Sequence, residues 1–299
     1  MKLLLTGKNG QVGFELQRSL AILGQVIAVD QEDCNLAQGA SVARLVQQVQ
    51  PDIIVNAAAA TAVDQLETNP DLAFAVNATA TGILAQEAAK TGALVVHYST
   101  DYVFDGSQQS PYRETDATNP LNTYGQSKLK GELLLAQATS RFLILRTSWV
   151  VGAHGANFAK TILRLAATRD HLRIVSDQIG VPTSATLLAD LTALLVQRYQ
   201  LTGPSSFPFG IYHVAPSGET NWYDYARLVI SEALAKNQPL KVQPQDVVPI
   251  TSAEYPTPAR RPANSRLDTQ LFRKTFSLHL PPWQDGVRRE LRHMLGTND

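Results

Sequence analysis

The stretch Lys2-Leu3-Leu4-Leu5-Thr6-Gly7-Lys8-Asn9-Gly10-Gln11-Val12-Gly13 decides the fold. Its leucine run shows no polar alternation, as expected of a strand covered on both faces in a parallel sheet. Glycines 7, 10 and 13 follow at once, and from Gln11 onward Phe14, Leu16, Leu20 and Leu23 recur at the spacing of one buried helical face. Strand, glycine turn and helix in that order make a cradle for a pyrophosphate. Glycine lets the backbone turn tightly and approach the phosphates, and the third position allows close helix–strand packing. The helix start adds N–H groups and the positive end of its dipole. A glycine triplet alone also fits an ordinary strand–helix turn. Its place directly after a clean first strand selects the dinucleotide reading, with Gly7, Gly10 and Gly13 at the cofactor.

Outward from this motif the same rhythm continues. Buried strands are expected at 2–6, 25–29, 52–56, 94–99 and 142–147, and helices at 11–23, 41–49, 70–91 and 124–138. Alternation of this kind predicts an α/β, Rossmann-type doubly wound parallel sheet. After residue 150 the pattern loosens. Proline and glycine gather at 203–210 and 255–262, and helices are expected at 185–200, 221–235 and 283–295. The expected organisation is a dinucleotide-binding core over 1–150 and a smaller, loop-rich, mainly substrate-binding part over 151–299. Segments such as 210–215 are expected to return to the core sheet.

Composition narrows the partners. The 299 residues carry 26 Lys+Arg against 26 Asp+Glu, so the basic excess that a nucleic acid or an anionic membrane attracts is missing. A lone Cys34 excludes an internal disulfide and a cysteine-based zinc site and points to a reducing, cytoplasmic setting. No apolar run approaches the ~18 residues needed to span a bilayer. No HxH or HExxH spacing joins the six histidines, which reads them as structural.

The chemistry lies at strand ends. Asp30 closes the second strand, where a carboxylate can accept from the adenosine ribose and repel a 2′-phosphate. No base follows it until Arg44, which argues for use of NADH. The small residues of Asn56-Ala57-Ala58-Ala59-Ala60-Thr61 at the third strand's tip leave room for a flat ligand. Ser99-Thr100-Asp101-Tyr102 follows the fourth strand, and Tyr124-Gly125-Gln126-Ser127-Lys128 comes later. Tyr and Lys four apart share one helical face. An ammonium beside the phenol is expected to lower its pKa from about 10 toward working pH, making it a general acid. Thr100 stands ready to hydrogen-bond the same substrate oxygen. In the Pro-flanked Tyr255-Pro256-Thr257-Pro258-Ala259-Arg260-Arg261-Pro262, two arginines are suited to a diphosphate.

Together TGxxGxxG, the alanine-rich tip, Ser-Thr and YxxxK resemble the extended short-chain dehydrogenase/reductases. His97-Tyr98-Ser99-Thr100-Asp101-Tyr102-Val103-Phe104, Arg146-Thr147-Ser148-Trp149-Val150, Trp222-Tyr223-Asp224-Tyr225 and the 255–262 segment resemble, within them, the dTDP-4-dehydrorhamnose reductases. The resemblance runs essentially the length of the chain. It implies reduction of a nucleotide-linked 4-keto-6-deoxy sugar with NADPH or NADH. It further implies that Gly10, Gln11 and Val12 bind the pyrophosphate and that Asp30, Asn35 and Leu36 bind the adenosine end. Ala59, Ala60, Thr61 and Tyr98 would line the nicotinamide side. Thr100, Tyr124 and Lys128 would form the catalytic set, and Asp101 and Trp149 would touch substrate.

Some members are Mg²⁺-bridged homodimers. The matching positions here are Glu15, Thr186 and His293, so Glu15 is the sole retained carboxylate. One carboxylate, a hydroxyl and an imidazole make a poor Mg²⁺ cage, which predicts activity without metal and a homodimer resting on apolar contacts. Two rival readings turn on single residues. A 4,6-dehydratase or epimerase reading fails on Tyr102, which stands where the dehydratases need a glutamate. A non-catalytic regulatory subunit of the methionine adenosyltransferase type would not need the Thr100–Tyr124–Lys128 set.

Overall fold

The computed structural model describes residues 1–296. Strand and helix alternate through β1 (Lys2–Thr6), α1 (Gln11–Ala21), β2 (Gln25–Val29), α2 (Gly39–Val49) and β3 (Ile53–Asn56). Then come α3 (Val63–Leu66), α4 (Pro70–Phe74), α5 (Ala80–Thr91), β4 (Leu94–Thr100), α6 (Thr123–Ala138) and β5 (Phe142–Thr147). The remainder holds β6 (Val150–Val151), α7 (Phe158–Ala166), β7 (Leu172–Val175), β8 (Ile179–Gly180), β9 (Thr183–Ser184) and α8 (Ala185–Thr202). It closes with β10 (Gly210–His213), β11 (Thr220–Asn221), α9 (Trp222–Ala235), β12 (Val247–Ile250), α10 (Gln270–Phe276) and α11 (Trp283–Leu295).

Six strands form one sheet in the order β2-β1-β3-β4-β5-β10, with every pair parallel. Leu3 and Leu5 face one way and meet Leu16 and Leu20 of α1 and Leu188 and Leu195 of α8. Leu4 faces the other way, toward Val42 and Val46 of α2, Leu84 of α5 and Leu135 of α6. Both faces are covered, so each buried leucine contributes about 1.5–3 kcal/mol, and the strand sequences have no use for polar alternation. The fold is the Rossmann-type doubly wound sheet.

The sheet draws on late sequence. β10 pairs with β5 through Gly210↔Leu143 and Tyr212↔Leu145, and α8 lies in the same layer as α1. A second core joins α7, α9 and α11 through Ile162, Val229, Trp283 and Val287, beside the parallel pair β7–β12. The expected single helix over 70–91 is instead α4, a π-helical turn at Ala75–Thr79, and α5. The turn brings Asn77 into the interior, 1% exposed. No helix among the described residues is long and apolar enough to cross a membrane.

Candidate active site

The loop between β1 and α1 has the shape its glycines permit. Gly7 sits at φ +77, and a Cβ on Gly13 would stand 1.9 Å from the Gly7 carbonyl oxygen. No larger residue fits position 13 without moving the loop. Gly10 caps α1 without a side-chain hydrogen bond, so the first-turn N–H groups of Gln11, Val12 and Gly13 face out of the helix end. The Gln11 side chain is engaged elsewhere, its oxygen accepting from Gly152 N at 2.8 Å and Asn157 Nδ2 at 3.0 Å. At this position the backbone, rather than the side chain, is what remains for phosphate.

Beside the loop a cavity of about 610 Å³ is lined by Gly7, Asp30, Asn35, Leu36 and residues 59–61. Asp30 accepts from Asn9 N at 2.9 Å and from Gln31 N at 2.7 Å, which fixes its carboxylate at the mouth of the loop. A base does stand close by, contrary to the sequence reading. Lys8 reaches over from the glycine loop, and its Nζ meets Asp33 Oδ2 at 2.6 Å. A search along β2 could not find it, because it arrives from β1. Small residues 58–60, the glycine loop and the uncapped start of α1 fit a dinucleotide.

The alanine-rich tip of β3 is pinned by Asn77 of the π-helical turn. Asn77 Oδ1 accepts from Ala60 N at 2.8 Å, while its Nδ2 donates to Ala60 O and to Ser127 Oγ, both at 3.0 Å. One side chain thus ties the tip to the helix that carries Tyr124 and Lys128. Asn122 caps that helix by accepting from Gly125 N at 2.8 Å, and donates to Arg260 O.

At the end of β4, Thr100 donates to Asp101 Oδ1 at 3.0 Å and accepts from Tyr102 N at 3.1 Å. Burial raises the Asp101 carboxyl to about 7, against the pull of the Ser265 and Thr100 hydroxyls. Tyr102 stands edge-on to Tyr124, with ring centroids 5.8 Å apart. The phenol of Tyr124 is raised above its ordinary value by burial and by the Asp101 charge, while the Thr100 hydroxyl pulls the other way. That corrects the expected lowering by Lys128. The Lys128 side chain instead donates to Tyr98 O, at 2.6 Å, with its Nζ 3.1 Å from His97 Nε2. Burial lowers Lys128 itself to about 8. Tyr98 meets this site through its carbonyl. Its ring lies in the core, and its hydroxyl is bonded to Thr192 of α8.

On the other side, a cavity of about 540 Å³ is walled by Phe158, Ile174, Trp222, Tyr255 and Arg261. Trp149 stacks on Trp222 at 3.7 Å and holds φ +46, a conformation uncommon for a bulky residue. Gly180 packs against that indole, where a Cβ would stand 2.6 Å from the ring. Arg261 pairs with Asp64 at 2.7 Å, so a wall of this cavity is anchored just past the β3 tip. Tyr102 feels the charges of both partners. Thr100 ends β4, and Tyr124 and Lys128 lie on α6; none of the three is among the residues that wall either cavity. Arg260 is exposed, and its carbonyl rather than its guanidinium is engaged.

The positions matched to Mg²⁺ ligands are otherwise occupied. Glu15 is 3.5 Å from Arg18 Nη2, Thr186 donates to Glu290 at 2.7 Å, and His293 is exposed. Asp190 accepts from Arg18 and Ser19. No group of three or more His, Cys, Asp or Glu side chains with metal-binding geometry occurs among the described residues.

Sequence reasoning assigned no site role to His97, Asn56 and Asn77, nor to Arg169, His171 and Arg173. His97, Asn56 and Asn77 fall within the strands expected at 94–99 and 52–56 and the helix expected at 70–91. Their signal was polarity inside apolar runs, since a buried polar side chain must find partners. The cluster Arg169, His171 and Arg173, which lines the second cavity, carried a local basic run with no motif around it.

A dinucleotide cradle at β1, with hydroxyl, phenol and amine gathered at β4 and α6, defines an extended short-chain dehydrogenase/reductase. Residues 1–295 match the family model described as RmlD substrate binding domain. The dTDP-4-dehydrorhamnose reductase of Escherichia coli strain K12 is 50% identical over 99% of both chains. The crystal structure of a dTDP-4-dehydrorhamnose reductase from Clostridium acetobutylicum superimposes with a TM-score of 0.89, at 34% identity over 97% of this chain and 98% of that one. That from Bacillus anthracis, in complex with NADP, gives 0.88 at 33% identity over 97% and 98%. The chain belongs to the dTDP-4-dehydrorhamnose reductase family.

Proposed function

We propose that this protein reduces the C4 ketone of dTDP-4-dehydro-6-deoxy-L-mannose with NADPH or NADH, giving dTDP-L-rhamnose, the last step of dTDP-rhamnose synthesis. The observation that carries the reading is the Thr100 hydroxyl at the end of β4 set against the Tyr124 phenol of α6, with Lys128 one turn further along that helix. A nicotinamide cofactor, when bound, supplies the hydride. Gly7, Gly10 and Gly13 shape its phosphate cradle, with the N–H groups of Gln11, Val12 and Gly13. Asp30, Asn35 and Leu36 would hold the adenosine end, and Ala59, Ala60 and Thr61 the nicotinamide side.

Tyr124 gives its proton to the C4 oxygen. Its raised pKa keeps the phenol protonated at neutral pH, which is the state a general acid needs. Thr100 orients the same oxygen, and Asp101 holds the Thr100 hydroxyl. Lys128, one turn along α6 from Tyr124, would supply a cation on the same helix face as the phenolate left behind. Trp149, backed by Trp222, would pack against the sugar, and Arg261 with Arg169, His171 and Arg173 would face the nucleotide's charge. Arg260 is the weaker candidate of the arginine pair, since its side chain is exposed. No step calls on a metal. We place the enzyme in the cytoplasm, acting on a small nucleotide sugar, with homodimers formed through apolar contacts.

The test feeds the purified protein with dTDP-glucose and the two upstream enzymes that convert it to the keto sugar, and follows cofactor oxidation. Oxidation is expected when the keto sugar is present. Tight cofactor binding with no turnover would sink the reading and favour a regulatory role. Tyr124→Phe should cost ~100-fold or more in kcat with cofactor affinity nearly unchanged.

A further inference from the structure

A chain of buried polar groups runs beneath the site, away from both cavities. Thr6 donates to Asn56 Oδ1 at 2.7 Å. Asn56 Nδ2 lies 3.3 Å from Thr81 Oγ1 and 3.0 Å from His97 Nδ1. His97 Nε2 lies 3.1 Å from Lys128 Nζ, which also donates to Tyr98 O. Thr6, Asn56, Thr81, His97 and Lys128 are each 2% exposed or less, so water does not settle their proton positions.

The protons can be counted. Thr81 has one hydroxyl hydrogen and donates it to Asn77 O at 3.0 Å. It must therefore accept from Asn56, so the amide nitrogen of Asn56 is the atom facing both Thr81 and His97. An amide nitrogen only donates, which makes His97 Nδ1 an acceptor. A neutral imidazole carries one proton, and here it falls on Nε2, aimed at Lys128 Nζ. An N–H aimed at Nζ is matched by an amine lone pair and opposed by an ammonium, which has donors only.

We propose that His97 is a positioning residue for the reduction, held by Asn56 as the Nε2–H tautomer, and that this tautomer weakens the hold of Lys128 on its proton. The inference rests on the function proposed above for its kinetic consequence, but not for its geometry. Burial acts in the same direction on both groups, lowering Lys128 to about 8 and His97 well below its ordinary value. Few other charges face the pair. On α6, Glu132 favours the ammonium and is itself held by Arg146 of β5 at 2.6 Å. Tyr124 lies one turn earlier on the same helix, and Asp101 lies beyond Thr100 at the strand tip. β1, β3 and α5 contribute the neutral Thr6, Asn56 and Thr81. Lys128 supports the departing phenol proton as an ammonium, so the reductase rate should fall as pH rises through about 8.

Long-range ¹H–¹⁵N correlation on the wild-type protein reads the tautomer without any substrate. His97 protonated on Nε2 with bare Nδ1 is the expected result, and the Nδ1–H form would overturn the proposal whatever reaction the enzyme catalyses. In Asn56→Asp a carboxylate replaces the amide and accepts from Nδ1–H, so the tautomer should reverse. The alkaline limb of the kcat profile should then move up by about a pH unit, with the KM for cofactor little changed. His97→Leu removes the opposing N–H and should shift the same limb upward. A uniform loss of rate in both variants with an unmoved limb would assign His97 a structural role only. If a variant does not fold, the wild-type tautomer and the ¹³Cε titration of Lys128 still decide the matter, with titration at or above the ordinary value of about 10.4 counting against it.

Discussion

The two cavities are built by different means. The one beside β1 is shaped by backbone: a glycine loop, a helix end and a row of alanines, clamped from below by Asn77. The other is shaped by side chains: a Trp149–Trp222 stack, Tyr255, and basic groups from segments far apart in the chain. Backbone tolerates no substitution where atoms already touch. A side-chain wall can lose a member and keep its shape. The two sides should therefore fail differently when mutated, and each failure should appear in the kinetics of one ligand only.

The sharpest contrast is expected at Gly13. With a Cβ 1.9 Å from the Gly7 carbonyl, Gly13→Val must displace the loop, and cofactor affinity measured by calorimetry should drop at least ~100-fold, the loss expected when a phosphate cradle is displaced by backbone strain. Retained affinity would show that the loop is not the cradle. Next in size, Trp149→Ala should raise the KM for the sugar nucleotide roughly 10-fold, in line with loss of one aromatic stacking platform, while the cofactor KM stays put. Comparable rises for both ligands would erase the division between the sides.

Smaller effects test the polar rim. Lys8 is the one base found beside Asp30, and its pairing with Asp33 competes with any 2′-phosphate. Lys8→Ala should lower kcat/KM for NADPH by about 5-fold, the scale of one exposed charge contact, and leave NADH nearly unaffected. An equal loss for both cofactors would remove Lys8 from that role. Asp101 provides the mildest test. Its folded-state pKa of about 7 lies above the unfolded value, so the folded state holds the extra proton between about pH 4 and pH 7. Stability from this group is present at the acid end of that window and is lost as pH rises through about 7. Asp101→Asn should lose less thermal stability between pH 5 and pH 8 than the parent, by a few degrees in Tm. Parallel curves would mean the carboxyl is not buried in its charged state.

The same contrast explains what the sequence made legible. β1, β2 and β5 fall where their unbroken apolar runs placed them, and the motif residues Thr100, Tyr124 and Lys128 lie at the end of β4 and on α6. Those signals are local, confined to a strand and its next turn. The π-turn at 75–79 was invisible because apolar periodicity continues through it, and only the partners of Asn77 reveal why the helix widens there. Asn56 ends a strand of Ile and Val, and His97 follows Leu94-Val95-Val96 in β4, so each polar residue is masked by the apolar run before it. The second cavity was hardest to see. Its walls come from residues 149, 158–178, 222 and 255–261, and no short motif spans such distances. Lys8 went unnoticed for the same reason, since its partner lies on the next βα turn.

The most direct measurement of the central claim follows the hydride itself. The protein is supplied with the upstream-generated keto sugar and NADPH deuterated at the transferring C4 position of the nicotinamide, and the product is read by mass spectrometry and proton NMR. Deuterium should appear at C4 of the sugar, with the H4 signal of dTDP-L-rhamnose lost. Product formed without deuterium at C4, or label at another carbon, would contradict the assignment of this site as a C4-ketone reductase.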